Sequence, residues 1–465
     1  MNSNELLPEA LQGSSLKLKD NPSATKTLFI ESYGCQMNFS DSEIVASILQ
    51  NEGYTTTTQA GSADLILVNT CAIRDNAEIR VRQRLQDYKK IKSKSDKPVL
   101  IGVLGCMAER LKKQFLEEER LVDVVVGPDA YRDLPRLLHE AESGRQSINV
   151  LLSKEETYAD IAPLRLDQNG VSGFVSIMRG CDNMCSFCVV PFTRGRERSR
   201  DPQSILQECE DAYNQGYREI TLLGQNVDSY KFSSNTGIAL FSDLLKLIAE
   251  HLPNLWIRFS TSHPKDMTDD VLQVMALYPN ICKYIHLPVQ SGSDSVLERM
   301  NRGYTSAWYL NRIKAIRHFI PDCAISTDII TGFCGENPSD HQETLQLMKT
   351  VNFDFAYMFM YSERPKTLAE RKYTDDVPET EKHIRLQEVI ALQREHSKNA
   401  LQKYVGTNQW VLIEGDSKKS NAFWMGRNSQ NAVVIFPKLD EKKGDRVNVS
   451  ITSSTYTALL GNRIL

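Results

Sequence analysis

Three cysteines stand within eight positions in "CDNMCSFC": Cys181, Cys185 and Cys188. Apolar residues follow, and then the run "RGRERSR" supplies Arg194, Arg196, Arg198 and Arg200. A structural zinc site takes four ligands, usually from paired Cys and His spacings, and no second pair or nearby histidine follows this loop. Iron–sulfur clusters are ordinarily held by four thiolates in tighter runs. A triad on a 4Fe-4S cluster would leave one iron without a protein ligand, and a small molecule can chelate it through adjacent amine and carboxylate groups. The competing readings are zinc completed by a remote histidine and three unrelated buried cysteines.

Cys35, Cys71 and Cys106 form a second set, each closing an expected strand, in "KTLFIESYGC", "ADLILVNTC" and "PVLIGVLGC". Their intervals, 71 − 35 = 36 and 106 − 71 = 35, each span about one helix-plus-strand unit. In an open parallel sheet the carboxyl ends share one edge, where ligands bind, so three distant thiols can meet there. Cysteine is also a common small core hydrophobe, and residue types alone leave both readings open.

The elements around these cysteines imply an α/β chain. From Lys26 to about residue 142, near-continuous apolar strands alternate with amphipathic helices, as in a parallel sheet covered on both faces. Ser40 and Glu43 have capping-box spacing for the first helix. Residues 143–166 read as a linker. Six strand–helix units follow from about 167, with strands "GFVSIMRG", "EITLLGQNV", "WIRFSTSH", "YIHLPVQSG", "CAISTDIITGF" and "FDFAYMFMYS". They suggest a partial (β/α)6 barrel with its working face at the strand carboxyl ends, trailed by a charged helix to about 400; a flat doubly wound sheet is the structural alternative. In residues 401–465, "QWVLIEGD", "AFWMGRN", "AVVIFPK" and "RVNVSITSS" read as a small antiparallel β-barrel. Residues 1–25 are polar and read as a disordered tail.

The chain has 465 residues and a formal net charge of −4, so nucleic acid would have to meet a local basic patch. The start lacks the apolar core of a signal peptide, and no apolar run is long enough to span a membrane. A cytoplasmic, membrane-free monomer is the expectation, in a compartment where clustered cysteines mean metal or catalysis.

"CDNMCSFC" with six barrel units resembles the radical S-adenosylmethionine enzymes, whose open cluster iron binds that cofactor and whose cluster electron cleaves it to a 5'-deoxyadenosyl radical. "YGCQMN", "VNTCAIR" and "GVLGCMAER" resemble the three cysteine motifs of the methylthiotransferases within that group. The resemblance covers nearly everything after residue 25: an N-terminal cysteine domain, the radical core and a TRAM-like barrel. It implies two 4Fe-4S clusters, S-adenosyl-L-methionine, a flavodoxin- or ferredoxin-like electron donor, and a sulfur source or iron–sulfur carrier.

Within the family, "CVVPFTRGRERSR", "LLGQNVDSY", "STSHP", "IHLPVQSGS" and "MNRGYT" most resemble the branch that adds a methylthio group to C2 of N6-isopentenyladenosine beside the tRNA anticodon. A sister branch acts on threonylcarbamoyl-adenosine; a relative modifies a ribosomal-protein aspartate. A non-catalytic iron–sulfur protein that binds RNA or carries electrons is the alternative of another class. Cys334 stands where the family more often has proline.

Candidate cofactor contacts are the strand-end residues Gly224, Gln225, Asn226, Ser260, Gln290 and Asp328. For the tRNA anticodon stem-loop the candidates are the four arginines beside the loop, with Lys418, Lys419 and Arg427 on the terminal barrel, where Phe423 and Trp424 could stack on bases. A basic helix carrying Arg80, Arg82, Arg84, Lys89, Lys90 and Lys92 is a further face.

Overall fold

The apolar runs that close on Cys35, Cys71 and Cys106 form adjacent parallel strands. A computed structural model describes residues 24–71, 75–111, 121–165, 170–235 and 237–464; the expected tail, 1–25, lies outside these but for its last two residues. The chain divides into two units, one of residues 1–168, 176–182 and 189–205, the other of 169–175, 183–188 and 206–465.

In the first unit six strands build one sheet: β1 (Lys26–Ser32), β2 (Tyr54–Thr56), β3 (Leu65–Thr70), β4 (Leu100–Gly105), β5 (Val124–Val126) and β6 (Ser147–Asn149), in the order β2-β1-β3-β4-β5-β6. Every pairing is parallel. β3 is buried along its whole length and β4 at all but its first residue, as strands covered on both faces must be. Two expectations need correction. The first helix, Gln36–Asn51, begins at Cys35, so Ser40 and Glu43 lie buried inside it and form no capping box. The expected linker supplies β6, and Tyr158 within it is buried against Tyr131, with ring centroids 5.6 Å apart.

In the central region the strands are β7 (Ser172–Ser176), the short antiparallel pair β8 (Met178–Arg179) and β9 (Arg198–Ser199), then β10 (Glu219–Leu223), the hairpin β11 (Lys231–Ser234) and β12 (Gly237–Leu240), β13 (Trp256–Ser260), β14 (Tyr284–His286), β15 (Ala324–Thr331) and β16 (Phe355–Met360). β7-β10-β13 and β14-β15-β16 form two three-stranded sheets in chain order, linked by a parallel bridge from Ile257 to Ile281. That is an open, six-stranded partial barrel.

The terminal barrel is closed by β17 (Asn408–Ser417), β18 (Ser420–Asn428), β19 (Val433–Pro437), β20 (Arg446–Ser454) and β21 (Leu459–Arg463). The sequence reading found four of these strands. β21 completes the closure by pairing parallel with β19, so the barrel is antiparallel except at that seam. It docks at the amino ends of the central strands. Arg258 pairs with Glu219 at 2.7 Å and donates to the carbonyls of Asn428 and Ser429, and Leu412 packs with Val171, Trp256 and Cys282.

Candidate functional site

Cys35, Cys71 and Cys106 all stand at the carboxyl edge of the first unit's sheet. Cys71 follows β3 directly, Cys106 follows β4 and opens the short helix Cys106–Leu111, and Cys35 is the N-cap of helix Gln36–Asn51. Gly34 makes the turn into Cys35 with φ 104°, and a Cβ there would overlap the Cβ of Cys71, so only glycine lets these two approach. All ten cysteines are described, and none forms a disulfide. Among the described residues, no three Cys, His, Asp or Glu side chains close on one point as ligands of a single metal ion.

A hydrogen bond from Cys71, and then the charge of Arg194, bring the Cys35 thiol down to about 6 against the opposing effect of burial. Burial pushes the Cys106 thiol up, with Arg194 opposing. Arg194 thus bears on both. Its Nε donates to Cys106 Sγ at 3.2 Å and its Nη2 to Asn38 Oδ1 and Asp41 Oδ2, at 2.8 and 2.9 Å. Asp41 also accepts from Arg179 at 2.8 Å, and Asp129 accepts from Arg198 at 2.8 Å. Burial works against ionisation of Asp41, but Arg179 and Arg194 hold its carboxyl below the usual range. Asp129 goes the other way, raised by burial.

Three buried guanidiniums (Arg179, Arg194, Arg198) therefore face two carboxylates, and 3 − 2 leaves an excess of at least one positive charge whichever state Asp129 takes. Arg194 Nη1 is buried without a hydrogen-bond partner. A buried charge and an orphaned donor are both costly, so these ions favour anionic sulfur at the adjoining cysteines. Three thiolates carrying an iron–sulfur cluster fit that requirement.

These contacts correct the reading of the arginine run. Arg194, Arg198 and Arg200 are buried, not displayed to phosphate. Arg198 donates to the carbonyls of Ser153 and Glu156 as well as to Asp129, and Arg200 to the carbonyl of Ser176. Arg196 alone is exposed, its side chain 69% accessible and 3.4 Å from Asp182. Charge density in the sequence could not separate these roles, because the partner carboxylates lie far away in the chain.

The boundary between the two units runs through the "CDNMCSFC" loop, with Cys181 in the first and Cys185 and Cys188 in the second. Gly180 reaches Cys181 with φ 78°, and a Cβ there would overlap the carbonyl oxygen of Arg196. The Cys181 amide donates to the carbonyl of Gly195 at 3.2 Å. Two consecutive residues thus serve both cysteine sets: the side chain of Arg194 reaches Cys106 and the backbone of Gly195 holds Cys181.

In the second unit Cys185 Sγ accepts from Arg302 Nη1 at 3.2 Å. The segment around "MNRGY" fastens this part of the loop. Asn301 donates to the carbonyl of Met184, Ser186 to the carbonyls of Arg299 and Met300, and the Cys188 amide to the carbonyl of Cys185. Arg302 and Asn301 are not among the expected site residues, although "MNRGYT" is one of the strings that carry the family resemblance.

Five of the six candidate cofactor residues fall at or beyond strand carboxyl ends of the second unit; the sixth, Asp328, lies within β15, three residues before its end. Gly224 donates its amide to the carbonyl of Ser260. The Asn226 side chain is already engaged: its Oδ1 accepts from the His263 amide and its Nδ2 donates to Asp266, which also accepts from Asn183 of the cysteine loop. Asn226 is thus a brace between strand end and loop. Gln290, with φ 75°, exchanges backbone hydrogen bonds with Asp328 and Ile330, and Asp328 Oδ1 lies 3.5 Å from His286 Nε2. Asp228, two residues beyond Asn226, was overlooked. Both its oxygens are buried without partners, and burial, with Asp266 nearby, raises its carboxyl well above the ordinary range.

On the terminal barrel Lys418 and Lys419 are exposed at the β17–β18 turn. Arg427 is half-buried, 3.5 Å from Glu414. Phe423 is exposed, and the Trp424 ring is covered by Lys438 at 4.0 Å. On the basic helix, Arg84 is tied to Glu31 and Lys92 to Asp123. Cys334 is buried among Val296, Met300, Phe333 and Tyr361, as core packing requires. Among the described residues no helix is long and apolar enough to cross a membrane.

Residues 27–127 match the Uncharacterized protein family UPF0004, residues 175–348 the Radical SAM superfamily and residues 402–462 the TRAM domain. The tRNA-2-methylthio-N(6)-dimethylallyladenosine synthase of Amoebophilus asiaticus is 59% identical over 95% of this chain and 93% of its own. That of Christiangramia forsetii is 57% identical over 99% and 98%. Among solved structures, the radical S-adenosylmethionine methyltransferase TsrM from Kitasatospora setae aligns with a TM-score of 0.56 at 14% identity, covering 74% of each chain. That likeness concerns the fold.

Proposed function

We propose a function from one premise: the chain belongs to the tRNA-2-methylthio-N(6)-dimethylallyladenosine synthase family of radical S-adenosylmethionine enzymes. It is a tRNA methylthiotransferase that places a methylthio group on C2 of N6-isopentenyladenosine next to the anticodon. The observation that carries this is identity above one half along nearly the whole chain. Membership in the superfamily brings iron–sulfur and S-adenosylmethionine chemistry.

The finer division of labour is our reading. Cys181, Cys185 and Cys188 hold one 4Fe-4S cluster, leaving an iron open for S-adenosyl-L-methionine. Cys35, Cys71 and Cys106 hold a second, which keeps the sulfur to be transferred. Adenine C2–H is neither acidic nor a leaving group, and the bound cofactors supply the radical chemistry that acid–base catalysis lacks there. The chain's own residues position and insulate. Arg302 fixes Cys185, the Asn183–Asp266–Asn226 chain ties the loop to the end of β10, and Gly224, Gln225, Ser260, Gln290 and Asp328 border the cofactor. Support for two cooperating sets comes from the Arg194–Gly195 pair, which touches Cys106 with one residue and Cys181 with the next.

The substrate is the tRNA anticodon stem-loop, whose loop base is splayed out more cheaply than one in a duplex. A flavodoxin- or ferredoxin-like protein supplies electrons, and a sulfur source or iron–sulfur carrier restores the transferred atom. The enzyme works in the cytoplasm as a monomer. In domain terms, residues 26–142 serve the second cluster, 167–400 the radical chemistry and 401–465 the RNA.

Nucleoside mass spectrometry of tRNA from a deletion strain tests the reading. The methylthio nucleoside should vanish and its isopentenyl precursor accumulate. Accumulation of unthiolated threonylcarbamoyl-adenosine, with the isopentenyl product normal, moves the protein to the sister branch.

A further inference from the structure

The arginine run was expected to meet RNA, and the structure turns its first member inward. Arg194 is 2% exposed, hydrogen-bonded to Cys106 Sγ at 3.2 Å through Nε and to Asp41 at 2.9 Å through Nη2, with Nη1 buried and unpaired. The Nε and Nη2 edge of the guanidinium is thus fully engaged, with a cysteine sulfur as one of its acceptors, while Nη1 is buried as an unpaired donor in the same ion network. The ion network around it has one more guanidinium than carboxylates.

We propose that Arg194 is a positioning residue of the Cys35–Cys71–Cys106 site: it grips the sulfur of Cys106 through Nε and, with Asp41 set against it, fixes the charge the site carries. The ligand class is sulfide or thiolate sulfur on iron. This deepens the function proposed above and rests on the reading of these cysteines as cluster ligands. Hydrogen bonds to cluster sulfurs and net local charge both set a cluster's reduction potential, and groups behind the ligands orient and tune them. Arg194 supplies a hydrogen bond and a charge at once. Asp41, bound to the same guanidinium, opposes it in sign.

That opposition gives a test that a merely structural role would not pass. The full-length protein is reconstituted anaerobically with both cysteine sets intact, as wild type, Arg194→Met, Arg194→Lys and Asp41→Asn. Iron and sulfide per chain, the electron paramagnetic resonance spectrum and the midpoint of the second cluster are measured, with reductive cleavage of S-adenosylmethionine reporting on the loop cluster. Removing the positive charge in Arg194→Met should move the midpoint to more negative potential, and removing the opposing charge in Asp41→Asn to more positive potential. Arg194→Lys should keep its iron but show an altered spectrum, because an ammonium cannot reproduce the planar fork. Should Arg194→Met take up no second cluster, Arg194→Lys and Asp41→Asn carry the comparison.

Midpoints that stay put, or move the same way in the oppositely charged variants, overturn the inference and leave Arg194 as core packing. A fifth protein, with Cys35, Cys71 and Cys106 all replaced by alanine, separates the two claims. If it keeps full iron, the ligand reading fails and this inference with it. If it loses the second cluster while the Arg194 and Asp41 variants behave like wild type, only the inference fails.

Discussion

Two arginines meet two cysteines in this molecule, each at 3.2 Å, and they are held in opposite ways. Arg302 donates to the Tyr304 hydroxyl at 2.9 Å, the Pro288 carbonyl at 2.6 Å and the sulfur of Cys185, none of them a carboxylate. Arg194 is one of five ionic groups, drawn from a helix, a loop after β5, β8, β9 and the segment before it. Both arrangements leave about one unbalanced positive charge beside thiols. The Arg302 site gets it from a single short segment, whereas the Arg194 site gets it from a network with several points of failure. Equal charge thus comes with unequal tolerance of mutation.

The most drastic way to break the comparison is to remove the sulfurs. Replacing Cys181, Cys185 and Cys188 with alanine should abolish both reductive cleavage of S-adenosylmethionine and methylthio product. Replacing Cys35, Cys71 and Cys106 should abolish product but spare cleavage. Product counting and cleavage assays on both variants read this directly, and methylthiolation by the second variant would end the two-site account.

The charges come next in size. Asp41→Ala leaves two guanidiniums without their shared carboxylate, and breaking a buried ion pair from one side costs about 3–5 kcal/mol. Arg302→Ala orphans the Pro288 carbonyl, at about 1–3 kcal/mol. The four tryptophans, Trp256, Trp308, Trp410 and Trp424, all lie in the second unit. Urea denaturation of the apo protein should therefore show the Asp41 variant's loss by circular dichroism more than by tryptophan emission, and the Arg302 variant's loss in both. Equal losses in the two signals for Asp41→Ala would mean that the units unfold as one.

Much of this contrast was hidden from the sequence. The cysteines and their strand ends were legible, because apolar runs such as "LILVNT" and "LIGVLG" announce buried parallel strands and a cysteine at each end marks one edge. The arginines were not, because burial is decided by partners remote in the chain: Asp41 lies 153 positions from Arg194, and Cys185 lies 117 from Arg302. β6 and β21 were missed for a different reason. Each is three to five residues long and gains its strand character from the neighbour it pairs with, not from its own pattern.

Asp228 offers a smaller, pH-resolved effect on the cofactor side. Its carboxyl is raised by burial, so the folded protein binds a proton that the unfolded chain has already released above about pH 3.9. Stability must then fall as pH rises through that window. Asp228→Asn, which mimics the protonated acid, should raise the apo protein's tryptophan-monitored denaturation midpoint at pH 7, with the gain shrinking to nothing near pH 4. A gain that is constant with pH would place the effect in packing and not in ionisation.

The smallest effect sharpens the comparison by moving to the arginine left outside. Arg196 sits two residues from Arg194, but its side chain is 69% exposed and its carboxylate neighbour, Asp182, is itself exposed. A charge so placed stabilises the fold little and remains available to phosphate. Each phosphate contact contributes roughly 0.7–0.9 to the slope of log affinity against log salt. Arg196→Gln should therefore lower that slope by about one contact in filter-binding titrations with a tRNA anticodon stem-loop, leaving iron content unchanged. Lys418→Gln with Lys419→Gln should lower it by about two contacts if the β17–β18 turn also lies on the RNA. That turn belongs to a barrel docked at the amino ends of the central strands, while Gly224, Gln225, Asn226 and Ser260 lie at the carboxyl ends. A change at Arg196 with none at the lysines would restrict RNA contact to the cysteine edge. A change at the lysines alone would remove the last member of the arginine run from RNA recognition.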